Sequence, residues 1–193
     1  MTDVDSAAQA IRAGELVVYP TETVYGLGGN ALDAAAVGRV FEAKGRDRAE
    51  PMSLGVHSVD AAMEYVDPSP LAREFMQAFL PGPVTVVVPK RETIPDALTG
   101  GRARVGIRVP AHDLAQTFLA AGPVTATSAN VSGEPSVTRV EDLDAAIREA
   151  TAVILDGGET PGTASTVVTV DTGEIHRAGR DADEIRDWLT RHR

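Results

Sequence analysis

The chain has 193 residues, 43% of them hydrophobic and 24% charged, which suits one sizeable core and an ordinary globular composition. Its net charge of −10 argues against a general nucleic-acid binder, which presents a basic face to phosphates. With no cysteine, disulfides, thiolate metal sites and a cysteine nucleophile are excluded.

No apolar run approaches the roughly 18–20 residues that span a bilayer. The stretch from Met1 to Glu15 is acidic and amphipathic, unlike a signal peptide, so the expected location is the cytoplasm. Among the 18 cationic residues only Lys44 and Lys90 are lysines. An acid-rich, lysine-poor surface suits concentrated salt, where self-repulsion is screened. A halophilic source and GC-rich coding both produce that bias.

In chain order, Asp5-Ser6 caps a short amphipathic helix through Ile11, ended by Gly14. Leu16 to Tyr19 is an apolar strand stopped by Pro20. Residues 21–30 read as a polar loop that runs into a glycine-rich strand. Asp33 caps a helix ending at Lys44-Gly45. Met52 to Val56 is a strand, helices start near Val59 and Pro70, and Pro81-Gly82-Pro83 breaks the second. Val84 to Val88 and Arg104 to Val109 are strands. A helix over His112 to Ala120 and a buried strand over Val124 to Thr127 follow. Residues 139–150 read as one helix, and Val153 to Leu155 as a strand. Thr166 to Val170 and Glu174 to Arg177 flank the hairpin turn Asp171-Thr172-Gly173. The last helix spans Ala182 to Leu189. No repeat, low-complexity tract or linker interrupts the pattern, which predicts a single domain over 1–193. The mixture of elements indicates an α/β protein of α+β type, a three-layer sandwich on a mixed sheet.

Several polar groups stand where ligands bind. Lys44-Gly45-Arg46 reads first as a helix C-terminus, yet it gathers one of two lysines with Arg46 and Arg48, a set able to grip a polyphosphate. Ser128-Ala129-Asn130 reads first as a turn. It also ends a buried strand, where α/β sheets hold ligands, among Thr125, Thr127 and Ser132. Arg108, at a strand end, suits either a surface ion pair or a carboxylate clamp. His57 follows a strand, and Arg177-Ala178-Gly179-Arg180 suits either a turn or a second phosphate contact. The triplet Thr21-Glu22-Thr23 can simply satisfy loop backbone groups. No P-loop, Rossmann spacing, HExxH or GxSxG motif occurs. The residues alone define a small-molecule site lined by Arg, Lys, Ser and Thr, suited to an anionic ligand.

Taken in order, Tyr19-Pro20-Thr21-Glu22-Thr23-Val24-Tyr25-Gly26-Leu27-Gly28, Lys44-Gly45-Arg46, residues 51–57, Leu80-Pro81-Gly82-Pro83-Val84-Thr85, residues 105–110, Thr127-Ser128-Ala129-Asn130-Val131-Ser132-Gly133 and Ser165-Thr166-Val167-Val168 resemble the YrdC-like family of threonylcarbamoyl-AMP synthases. The resemblance covers roughly residues 8–180. It implies a twisted mixed sheet of about seven strands, flanked by helices, around a positively charged cavity. It also implies condensation of L-threonine, bicarbonate and ATP to threonylcarbamoyl-AMP and pyrophosphate, for tRNA modification completed by a separate tRNA threonylcarbamoyl transferase.

By the same resemblance Lys44 and Arg46 would be catalytic and, with Ser128, Asn130 and Arg177, would hold ATP. Thr23, His57, Arg108, Thr127 and Ser165 would hold threonine. Mg²⁺ would travel on the ATP phosphates with no protein metal site, and strong tRNA contact is not expected. Longer family members carry a second C-terminal domain, whereas this sequence ends about 13 residues after Arg180. A YciO-like paralogue acting on a related adenylate and a double-stranded-RNA-binding module are the alternatives.

Overall fold

The computed structural model describes residues 3–192. Met1 and Thr2 of the acidic N-terminal stretch, and Arg193, lie outside the described residues. Helix α1 (Asp3–Arg12) carries Asp3 and Asp5 in its first turn and Arg12 in its last, charges that complement the helix dipole. It therefore starts ahead of the Asp5-Ser6 cap expected from the sequence, within the usual end-fraying of a helix.

The chain continues through β1 (Leu16–Pro20), β2 (Tyr25–Gly28), α2 (Ala34–Lys44), β3 (Ser53–Gly55), α3 (Val59–Ala62) and α4 (Pro70–Phe79). Then come β4 (Val84–Pro89), α5 (Asp96–Thr99), β5 (Arg104–Arg108), α6 (Asp113–Leu119) and β6 (Val124–Ser128). The last elements are α7 (Ala145–Ala150), β7 (Thr151–Ile154), β8 (Thr166–Thr169), β9 (Glu174–Arg177) and α8 (Ala182–His192).

Three details depart from the expected elements. The helix expected over 139–150 is divided into a 3₁₀ turn at Val140–Asp142 and α7, with Leu143 extended between them. Leu143 turns into the core, and Asp144 caps α7 by accepting from Ala146 N at 2.8 Å. The four-residue α5 sits between Pro95 and a left-handed Gly100, too short for periodicity to reveal. Helix α8 extends past Leu189 to His192, with Trp188 packed edge-on against Phe75 of α4.

Nine strands form one mixed sheet in the order β7-β1-β2-β6-β3-β5-β4-β8-β9. The count exceeds the expected seven or so, with four-residue strands closing both edges. Pairs β1/β7, β3/β5 and β4/β8 are parallel; β1/β2, β2/β6, β3/β6, β4/β5 and β8/β9 are antiparallel. Strand alternation gives one face Leu16, Val18, Leu27, Leu54, Val84, Val86, Val105 and Ile107, all in the larger apolar core. Helices α2, α3, α4, α5, α7 and α8 pack on this side through residues such as Phe41, Ala62, Phe75, Leu98, Ile147 and Trp188.

The opposite face is covered differently at its two ends. Over β1, β6 and β7, helices α1 and α6 bury Ala7, Ile11, Phe118 and Leu119 against Val17, Tyr19 and Val124. Over β3, β5 and β4 the cross-strand pairs Ser53↔Ala126, Val87↔Gly106 and Thr85↔Arg108 bring small or polar side chains together. None of the eight described helices buries its apolar side there. The uncovered half of the sheet is a polar, small-residue floor, and the candidate site lies on it.

Candidate active site

Helix α2 ends because Gly45 adopts a left-handed conformation (φ 56°) and donates to Glu42 O, while Arg46 N donates to Phe41 O. That stop leaves Lys44 on the buried side of the last turn, 1% exposed. Its Nζ donates to the carbonyl oxygens of Ser128 and of Asn130, the latter at 2.6 Å. The Lys44 carbonyl in turn accepts from Ser132 N at 2.8 Å. Two segments 84 residues apart are therefore joined through both the side chain and the main chain of one lysine. Burial, helped by the adjacent Arg46, lowers the Lys44 pKa to about 8. Asn130 Nδ2 donates to the carbonyls of Val131 and Glu134 at 2.8 Å each, while its Oδ1 and Ser132 Oγ are buried without partners.

Arg108 ends β5 and is 6% exposed. Its Nη1 donates to the carbonyls of Gly82 and Val109; its Nη2 donates to Glu22 Oε1 at 2.7 Å and lies 3.4 Å from Thr23 Oγ1. Thr21 orders the loop by accepting from Thr23 N and Val24 N and donating to Val24 O. So the Thr21-Glu22-Thr23 triplet does satisfy loop backbone, and Glu22 additionally forms a buried ion pair. Nearby Tyr19 is pushed well above the usual tyrosine range by burial, with Arg108 opposing and Glu22 reinforcing the shift.

The third part comes from the far end of the chain. Arg177 of β9 donates through Nε to Ser165 O at 3.0 Å and through Nη2 to Ser165 Oγ at 2.8 Å. Ser165 Oγ lies 3.4 Å from Thr85 Oγ1, and Thr85 is the cross-strand partner of Arg108. Burial lowers the Arg177 pKa, as do the positive charges of Arg108 and Arg46. The guanidinium groups of Arg108 and Arg46, from a separate strand and a loop, thus both act on that of Arg177. Arg46 itself reaches Pro51 O at 3.2 Å and Glu50 Oε2 at 3.5 Å.

The fold thus assembles Lys44, Ser128 and Asn130 in one cluster and Thr23 with Arg108 in a second. Ser165 and Arg177 form a third, and Arg46 is in electrostatic range of both Lys44 and Arg177. Thr127 pairs with Leu27, so alternation places it on the face opposite Ala126 and Ser128. His57 is exposed beyond β3. It is tied to the site only through the chain, since Val56 N donates to Arg108 O at 3.0 Å. The ion-pairing role of Glu22 and the place of Thr85 were not visible in the sequence; a carboxylate between two threonines was the one available signal. Close packing also explains Gly106, where a Cβ would lie 2.6 Å from Ser53 Oγ and 2.7 Å from Thr85 Cγ2. Among the described residues no group of three or more His, Asp or Glu is placed to hold a metal, and no helix is long and apolar enough to cross a membrane.

The mixed α/β sheet thus carries arginines and hydroxyl groups on the floor that its helices leave open. Residues 9–179 match the Sua5/YciO/YrdC family profile, described as telomere recombination, and the chain belongs to that family. It is 44% identical over 166 residues to the threonylcarbamoyl-AMP synthase of Pyrococcus abyssi, covering 84% of this chain and 49% of that protein. It is 39% identical over 175 residues to the threonylcarbamoyl-AMP synthase of Bacillus subtilis, covering 86% and 49% respectively. The chain therefore spans about half the length of these relatives. Its fold is similar to that of P. abyssi Sua5 complexed with L-threonine, with a TM-score of 0.85 and 37% identity over 96% of this chain and 58% of that one. Escherichia coli YciO is also similar, with a TM-score of 0.83 and 25% identity over 92% and 89%.

Proposed function

We propose that this chain is a single-domain enzyme condensing L-threonine, bicarbonate and ATP to threonylcarbamoyl-AMP and pyrophosphate. The observation that carries the reading is the Lys44 ammonium shared between the Ser128 and Asn130 carbonyls. It makes one unit of the two motifs that would hold the nucleotide. The names of the relatives and the threonine complex of P. abyssi Sua5 support the choice of substrates.

In this reading threonine's amine attacks the carbon of bicarbonate and a C–O bond breaks with loss of water, giving a carbamate whose oxygen attacks the α-phosphorus of ATP and expels pyrophosphate. Both reactants are anions, so fixed cations must offset their repulsion and the charge gathering on the leaving group. Arg46 and Arg177, with Lys44 behind them, would supply that field, and Ser128 and Asn130 would position the nucleotide. Thr23, Arg108 and Ser165 would serve the amino acid, whereas Thr127, on the opposite face of the sheet, and His57, beyond β3, lie off this floor. No covalent protein intermediate is needed, and positioning supplies much of the acceleration. Mg²⁺ would enter on the ATP phosphates as part of the substrate. The product would pass to a tRNA threonylcarbamoyl transferase, in the cytoplasm.

The test is incubation of the folded chain with ATP, Mg²⁺, bicarbonate and threonine, with pyrophosphate and threonylcarbamoyl-AMP followed by mass spectrometry. Threonine-dependent formation of both is expected. Pyrophosphate release indifferent to threonine, or none, overturns the proposal and favours a paralogue acting on another adenylate.

A further inference from the structure

Glu22 places a negative charge inside a cluster of arginines, and half of its carboxylate is unused. Oε1 accepts from Arg108 Nη2 at 2.7 Å, whereas Oε2 is buried with no hydrogen-bond partner. A carboxylate offers about four acceptor positions, and a buried oxygen left empty is costly enough to need an explanation. Arg108 does not satisfy it, since the other contacts of its Nη1 and Nη2 are with Gly82 O, Val109 O and Thr23 Oγ1. The Glu22 side chain as a whole retains 14% exposure, so it is not sealed off from solvent.

We propose that Glu22 is a specificity-determining residue of the amino-acid site, receiving the ammonium of a zwitterionic α-amino acid and repelling ligands that carry a carboxylate alone. The inference rests on the function proposed above. A simple carboxylate drawn toward Arg46, Arg108 and Arg177 meets the fixed charge of Glu22 beside Arg108, and discrimination gains from such a repulsive element. An α-amino acid carries its cation next to its carboxylate and satisfies both signs. The terminal torsion of a glutamate is broad, so a partial turn of the carboxylate would bring Oε2 toward a ligand with Oε1 still in reach of Arg108. Thr21 and Thr23, with hydroxyls 2.8 Å apart, hold the loop on either side. Gly55 and Thr85 flank Arg108 in the neighbouring strands.

Calorimetric titration with L-threonine and with 3-hydroxybutanoate, which keeps the carboxylate and hydroxyl but lacks the amine, tests this directly. The wild type should prefer threonine by at least about thirtyfold, the scale of a well-placed charge contact. In Glu22→Gln that preference should shrink at least tenfold, with ATP affinity retained as the control for folding. Glu22→Asp, which keeps the charge one carbon further back, should bind threonine more weakly yet still reject 3-hydroxybutanoate. An unchanged preference in Glu22→Gln, or equal tightening of both ligands, overturns the proposal while leaving the proposed reaction intact. If the wild type binds no amino acid, both fall together.

Discussion

Lys44 Nζ lies 2.6 Å from the carbonyl oxygen of Asn130, so the last turn of α2 and the loop after β6 are held by a charge with almost no access to water. A lysine in this position organises the site as well as charging it. Removing it deprives two carbonyls of their donor at once.

That arrangement has a pH signature. Burial and Arg46 hold the Lys44 pKa at about 8, against 10.5 for a free lysine. Below 8 the folded and unfolded chains both carry the proton, and the cost of burying the charge opposes folding. Between about 8 and 10.5 the folded chain loses it first, so the contribution of this residue to stability rises with pH. Urea unfolding across that window should show wild type gaining on Lys44→Met by about 3 kcal/mol. A constant difference would mean that Lys44 titrates as it does in water.

Activity should move the other way. Lys44→Ala and Arg46→Ala should each lower kcat/KM for pyrophosphate formation by at least about tenfold, or about 1.4 kcal/mol of transition-state stabilisation. Wild-type rates in both variants would place the nucleotide elsewhere.

The Arg108–Glu22 pair should matter for stability before any ligand arrives. Arg108→Ala leaves Glu22 buried without its partner and should cost about 3–5 kcal/mol in denaturant unfolding. A cost below about 1 kcal/mol, typical of a surface pair, would show that the pair is solvated.

Gly179 tests how tightly the third side of the site is built. A Cβ there would meet the Ala164 carbonyl oxygen and lie 2.6 Å from the Ser165 carbonyl carbon, main-chain atoms that cannot rotate aside. Gly179→Ala should destabilise the fold by about 1–3 kcal/mol and, by shifting Ser165 against Arg177, raise the KM for threonine. An unaltered KM would separate that strand from the amino-acid site.

Much of this architecture was legible in the residues. The Asp33 cap and Gly45 stop of α2, the β-branched run of β4 and the hairpin at Asp171-Thr172-Gly173 are local signals, and each formed as local chemistry directs. The 139–150 segment reads as one helix because its periodicity hides Leu143, which the core draws into an extended conformation. The site was legible as residue types and not as partners. Lys44 reads as a helix terminus until the sheet order places β6 beside β2 and β3, and Glu22 reads as loop filling until β5 brings Arg108 to it. Those pairings span 86 residues each, beyond the reach of any local pattern.

The floor formed by Ser53, Gly106 and Thr85 is the part of the sheet that no described helix covers. In energetic terms, half of one sheet face is left without a packing partner from the chain, and a bound ligand would supply the missing contacts. A ligand at a hundred times its dissociation constant adds about 2.7 kcal/mol to stability, so the melting temperature becomes a titration curve for the site. That readout needs no turnover, and it would rank candidate amino acids and nucleotides on the bare protein.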